Sequence, residues 1–205
     1  ANAVAAKALA RADSRSLTII GAGHQAWYEI HALDGVFDLA DINIVSRNTA
    51  RGEALVQRLD GELDGVNVQL LPAEEAVPQA DLLVTVTTAR EPLFEAALVQ
   101  AGTHVSAMGA DQSGKQELPV ALLGRARLVA DLPGQSLRVG EFQHIARQVD
   151  EGELEVLLLG DILEGSVAGR RSGDEITVFD SSGVALQDLF IARLILDAWL
   201  AHRRA

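Results

Sequence analysis

The chain has no cysteine. That absence excludes a disulfide framework, thiolate catalysis and a zinc-thiolate site, and it fits a cytoplasmic protein whose redox chemistry, where present, comes from a bound cofactor. Lysine is nearly as scarce: Lys7 and Lys115 stand far apart, and the 17 basic residues are outnumbered by 29 acidic ones. A formal charge of −12 without a basic cluster argues against nucleic acid as a partner and against an anionic membrane surface. Long apolar runs are missing too, since Val156 to Leu159 is broken at once by Gly160 and Asp161, far short of the ~18 residues a membrane span needs. No secretory signal is visible. The five histidines (His24, His31, His104, His144 and His202) have no ligand-spaced partners, so no metal site is expected. No G-x-S-x-G serine elbow is present either.

What the sequence does contain is alternation. Apolar, β-rich runs at 16–20, 42–46, 66–70, 81–86, 103–107, 126–130 and 175–179 are separated by helical patterns. The helices are expected at 24–36, at 49–59 behind a threonine cap, at 118–124, at 136–148 in shorter or broken form, at 153–163, and from 184 to about 202. Such alternation predicts the α/β class, with a doubly wound, mostly parallel sheet covered by helices on both faces. A chain of 205 residues suits one such domain with an extension.

The most informative stretch is Ser16-Leu17-Thr18-Ile19-Ile20-Gly21-Ala22-Gly23-His24-Gln25-Ala26. It reads as a buried strand, a glycine turn and the start of an amphipathic helix, the form expected of a dinucleotide site. Gly21 permits the tight turn, Gly23 lets the backbone approach a pyrophosphate, and Ala22, His24 and Gln25 complete the mouth, with the charge facing the helix amides. The adenosine ribose should lie at the end of the second strand. An acidic residue there would favour NAD, but this chain offers Ser46, Arg47 and Asn48, with Arg51 one turn on. Asp41 lies at the wrong end of that strand. A guanidinium, a hydroxyl and an amide suit a 2′-phosphate, so NADP is the expected cofactor and NAD the alternative, with Arg47 otherwise a solvated loop residue.

Two further loops leave the carboxyl ends of strands with polar residues: Thr87 and Thr88 after the fourth, and Met108-Gly109-Ala110-Asp111-Gln112-Ser113-Gly114-Lys115 after the fifth. The second combines permissive glycines with one carboxylate, able to place an acid or base beside a nicotinamide; as a bare position, Asp111 is more often a turn residue. Remaining acidic residues read as caps and solvated faces, and Arg170-Arg171 as part of a polar loop.

Both ends of the chain carry signals. Residues 3–10 read as a helix interior with no start signal before them, which suggests that a segment precedes Ala1. The last helix, with Leu186, Leu189, Phe190, Ile191, Leu194, Ile195 and Trp199, is apolar on more than one stripe and should pack on a partner or on that segment.

Five motifs in order are similar to one family: Gly21-Ala22-Gly23-His24-Gln25-Ala26; Val84 to Thr87 with Arg90-Glu91-Pro92-Leu93; Gly102-Thr103-His104-Val105; Gly109-Ala110-Asp111 with Gly114 to Leu118; and Glu175 to Asp188. Together they resemble the ornithine cyclodeaminase/mu-crystallin family. The resemblance implies a helix at 1–15 linking from a substrate and dimerisation domain, an NAD(P)-binding Rossmann domain at 16–183, and a helix at 184–205 returning to the first domain, in a homodimer. It also implies that Asp111 is the catalytic aspartate, handling a proton at the substrate amine, imine or attacking water, whereas mu-crystallin itself differs there. Ser46-Arg47-Asn48 is similar to the NADP-using branch, and Asp180-Ser181-Ser182-Gly183 to the reductase and alanine dehydrogenase members. On that reading Thr87, Thr88 and Ser181 border the nicotinamide half, and Met108 and Gly109 are counted among the cofactor-binding residues. The implied activity is an NADP-dependent oxidoreductase acting on the C2 imine of an amino acid. An NAD-dependent ornithine cyclodeaminase and a non-catalytic NADPH-binding protein are the alternatives. An amino-acid or imino-acid substrate is implied, with its carboxylate held from the preceding domain.

Overall fold

In chain order the first elements are α1 (Asn2–Leu9), β1 (Ser16–Ile20), α2 (His24–Asp34), β2 (Asp41–Val45), α3 (Thr49–Asp60), β3 (Asn67–Leu70), α4 (Ala73–Ala76), β4 (Leu82–Thr85) and β5 (His104–Ala107). There follow α5 (Val120–Leu123), β6 (Arg127–Ala130), α6 (Pro133–Val139), α7 (Ala146–Asp150), β7 (Val156–Leu158), α8 (Leu159–Leu163), β8 (Thr177–Asp180) and α9 (Ala185–His202). The computed structural model describes residues 1–203, and among these residues the strands form one eight-stranded parallel sheet in the order β3-β2-β1-β4-β5-β8-β6-β7.

Branched apolar residues on both faces of β1, β2 and β4 explain the double covering. Leu82 and Val84 join Leu17, Ile19, Ile42 and Ile44 beneath α2 and α3, while Leu83 faces the other way with Val105, Val178 and Phe142. Helix α1 closes a third small core with Ala5 and Leu9 against Val129 and Phe179. It is tied down twice. Asn2 Nδ2 donates to Glu29 of α2 at 2.7 Å, and the Leu9 carbonyl accepts from Arg170 Nε at 2.7 Å and from Thr177 Oγ1 at 3.0 Å. Arg170, expected only as part of a polar loop, is therefore a clamp between α1 and the start of β8.

Two local expectations need correction. The helix predicted over 153–163 is a three-residue strand, β7, followed by the short α8, because β6 leaves a free edge that pairs Leu128, Val129 and Ala130 with Val156, Leu157 and Leu158. The cap of α3 is Asn48, whose Oδ1 accepts from the Arg51 amide at 3.0 Å, and not Thr49, which is the first helical residue. The segment 136–148 is broken, as expected, dividing into the end of α6, a 3-10 turn at Glu141–Ile145 and α7. Helix α9 forms as predicted but buries no residue, with Leu189, Phe190 and Leu194 each about two-thirds exposed at 67%, 69% and 66%.

Candidate dinucleotide site

The registers Ile20–Thr85, Thr85–Ala107 and Ala107–Asp180 bring the last residues of β1, β4, β5 and β8 level with one another. Just beyond that line lie Gly21, Thr87, Thr88, Met108, Gly109, Asp111 and Ser181, so residues far apart in sequence share one edge of the sheet. The chain reverses its strand order between β1 and β4, and the crevice above such a reversal is where open α/β sheets bind ligands.

At the glycine turn, Gly21 has φ of +125°, and a Cβ there would stand 2.9 Å from the Val86 carbonyl oxygen. Backbone conformation and space both exclude a side chain. Gly23 is extended and caps α2 without a side-chain bond, and a Cβ built on it meets no protein atom within 4 Å. The free amides and positive end of an 11-residue helix thus open onto a surface that a phosphate can approach. Ala26 is fully buried, which brings helix and strand together. His24 is exposed at the mouth, edge-on to Tyr28. Gln25, also exposed, donates to Glu29 at 2.5 Å.

Beside the turn is a cleft of about 420 Å³ lined by Ala22, Gly23, His24, Trp27, Arg51 and Arg58. The Arg58 guanidinium stacks 4.1 Å from the Trp27 ring centroid. Glu62 fixes this group by accepting from Trp27 Nε1 at 2.7 Å, from Arg58 Nε at 3.0 Å and from His31 Nε2 at 2.9 Å. These bonds, that of Trp27 foremost, hold the Glu62 carboxyl down to about 2. Ser46 and Asn48 brace the loop after β2: Ser46 Oγ donates to the Asn48 carbonyl at 2.9 Å, and the Asn48 side chain caps α3. Arg47 is exposed and enters no ion pair among the described residues. Asp41 accepts from Asn67 at the opposite edge of the sheet.

On the other side of the crevice, Lys115 Nζ reaches Asp111 Oδ1 at 2.5 Å and donates to the Gly109 carbonyl at 3.2 Å. The Asp111 side chain is 56% exposed and that of Lys115 only 12%, so a nearly buried cation holds an accessible carboxylate at the rim. The loop is pinned from behind, with Gln143 Oε1 accepting from the Gly114 amide at 2.8 Å and His144 Nε2 meeting the Lys115 carbonyl at 2.7 Å. Met108 is partly buried against two of the cores. Ser181 donates to Asp131 at 2.6 Å and is only 8% exposed, so its hydroxyl is engaged within the protein. Thr88 is exposed and Thr87 half-buried.

Sequence reasoning gave no separate role to three buried carboxyls beneath this edge. Glu117 accepts from both Thr85 and Thr87 hydroxyls and from the Thr87 and Gly109 amides. Glu141 accepts from the Glu117 and Leu118 amides at 3.0 Å and 2.7 Å. Asp180 accepts from Ser136 Oγ and from the backbone at Glu141 and Phe142. Burial pushes all three up, Glu141 to about 8 and Asp180 to about 7. The available signal was position: Asp180 ends an apolar strand, and Glu117 adjoins the fully buried Leu118.

The turn, the uncapped helix and the arginine-lined cleft fit a dinucleotide phosphate chain. Comparison with known proteins agrees, since the family model of the ornithine cyclodeaminase/mu-crystallin family matches residues 1–203. The chain belongs to this family. An alanine dehydrogenase from Archaeoglobus fulgidus is 36% identical over 198 residues, covering 96% of this chain and 61% of the relative. Among solved structures, an archaeal alanine dehydrogenase dimer with bound NAD superposes with a TM-score of 0.91 at 34% identity, covering 98% of this chain and 62% of that one. The Δ1-pyrroline-2-carboxylate reductase of Thermococcus litoralis, in complex with NADH and L-proline, gives 0.90 at 30% identity, over 98% and 63% of the two chains. This chain therefore spans about three-fifths of the family members it matches. Among its described residues no helix is long and apolar enough to cross a membrane, and no group of histidines and carboxylates is placed to hold a metal ion.

Proposed function

We propose that this chain is the nucleotide-binding part of an NADP-dependent oxidoreductase that reduces the C2 imine of an amino acid. The observation that carries the reading is the accessible Asp111 carboxylate, held by Lys115 on the edge that it shares with the glycine turn. The chemistry supplied by a bound reduced dinucleotide is a hydride for substrate C2. Asp111 exchanges the proton at the substrate nitrogen, so that hydride and proton together convert the imine to the amine. Gly21, Ala22, Gly23 and His24 hold the pyrophosphate. Ser46 and Asn48 shape the loop that presents Arg47 to a 2′-phosphate, with Arg51 beside it. Thr87, Thr88, Met108 and Gly109 border the nicotinamide, and Ser181 and Gln25 support the site through Asp131 and Glu29.

Lys115 is taken up by Asp111 and Gly109, so the contact to a substrate carboxylate is assigned to parts of the protein outside these 205 residues. The apolar surface of α9 is assigned to the same parts, within a homodimer. The test follows absorbance of the reduced cofactor in the whole protein. Steady loss of NADPH with a cyclic or open-chain 2-imino acid is the expected result. Release of ammonia from ornithine without net change in cofactor would instead make the protein a cyclodeaminase. Tight NADPH binding with neither reaction would make it a binding protein.

A further inference from the structure

Glu117 is fully buried, yet no cation accompanies it among the described residues; its charge is met by four donors. Oε1 accepts from the Thr87 amide at 2.6 Å and from Thr87 Oγ1 at 2.7 Å. Oε2 accepts from Thr85 Oγ1 at 2.8 Å and from the Gly109 amide at 3.0 Å. One carboxylate thus spans two loops, the one after β4 and the one after β5. The fit is close, because a Cβ on Gly109 would lie 2.6 Å from both oxygens of Glu117.

The linkage continues outward. The carbonyl of the same Gly109 accepts from Lys115, and Lys115 holds Asp111. Behind it, the Glu117 amide is itself gripped by Glu141 at 3.0 Å. A buried carboxyl without a counter-ion is costly, and it is tolerated where its hydrogen-bonding capacity is filled, as it is here. A glutamine of the same shape would turn an NH₂ group toward donors and break the arrangement.

We propose that Glu117 is a positioning residue that locks the two loops together, so that Thr87 and Asp111 meet the nicotinamide half of a dinucleotide as one rigid unit. The inference rests on the reading of this edge as a dinucleotide site. It separates the two halves of the ligand, because among the described residues the Glu117 carboxylate bonds only to Thr85, Thr87 and Gly109 and not to the glycine turn, Arg47 or Arg51.

The test is calorimetric titration of this chain with NADPH and with 2′-phospho-ADP-ribose, which lacks the nicotinamide, alongside NADH and ADP-ribose. In E117Q, loss of charge-assisted bonds should weaken the nicotinamide-bearing ligands by about tenfold or more. The truncated ligands should bind as they do to the native chain. T85V removes one of the four donors from within the sheet and should give a smaller loss of the same kind; it decides the matter if E117Q does not fold. Equal losses on whole and truncated ligands, or no loss, would overturn the proposal, as would a native chain that gains nothing from the nicotinamide. A native chain that binds none of the four ligands would instead remove the dinucleotide reading itself.

Discussion

At the scale of single residues, the proposed chemistry divides between an exposed guanidinium and an exposed carboxylate. Arg47 stands just past the end of β2 with no carboxylate partner among the described residues, on a loop that Ser46 and Asn48 keep in shape. R47A should weaken NADPH by about 10–100-fold, the loss expected for a charge-assisted contact, while NADH binding is little changed. Equal losses in competitive titration would reject the 2′-phosphate assignment. Asp111 is held by a lysine that is itself nearly buried. D111N keeps the shape but cannot exchange a proton, so on the proposed reaction kcat of the whole protein should fall by about 10²–10⁴ with nucleotide affinity retained. The placement of both residues at the carboxyl edge was legible in the sequence because each follows a strand. The positions of Gln25 and Ser181 were legible too, but not that their side chains bond to Glu29 and Asp131. Only the packing of α2 and the loop after β6 decides that.

At the scale of elements, the segment from α6 to the 3-10 turn is held to the sheet by acids. Asp180 ties it to β8, and Glu141 ties it to the peptide of Glu117. Burial raises both carboxyls, to about 7 and about 8, so the folded chain binds protons that the unfolded chain releases. Stability from these groups is therefore lost as pH rises through 7 and 8 and regained as it falls. Between pH 9 and 7 the melting temperature should climb by several degrees, at about 2–4 °C per kcal/mol for a chain of this size. Glu62 stays ionised throughout that range. Below about 6.5 the buried neutral His104, pushed down to about 3, opposes further gain. E141Q combined with D180N should flatten the profile, and an unchanged slope in thermal melts would show that these groups do not control it. The same scale shows what sequence patterns miss. Short apolar runs fit strand and helix equally, so 153–163 read as helix, and only pairing with β6 makes Val156 to Leu158 a strand.

At the scale of the whole molecule, the class and the apolar last helix could both be read from alternation and composition. The position of β8 could not, since strand order depends on which edges are free when the sheet assembles. Helix α9 contributes no buried residue to this fold. A chain ending at Val184 should unfold within about 0.5 kcal/mol of the intact one, as for changes remote from a core, and should bind much less of a dye for apolar surfaces. A large drop in the urea midpoint would show that α9 does support the domain.

The sheet order has a consequence for how the protein is made. β8, the last strand among the described residues, lies between β5 and β6, which precede it by 70 and 47 residues at their closest ends. A nascent chain can assemble β1 to β5 early, but the β6–β7 pair has no seat in the sheet until residue 180 has emerged. Until then both pieces expose a strand edge to other chains. Closure by so distant a strand carries a large entropic cost and should set the pace of folding. The hazard for this protein lies in its synthesis, in the interval before the gap in its sheet is filled.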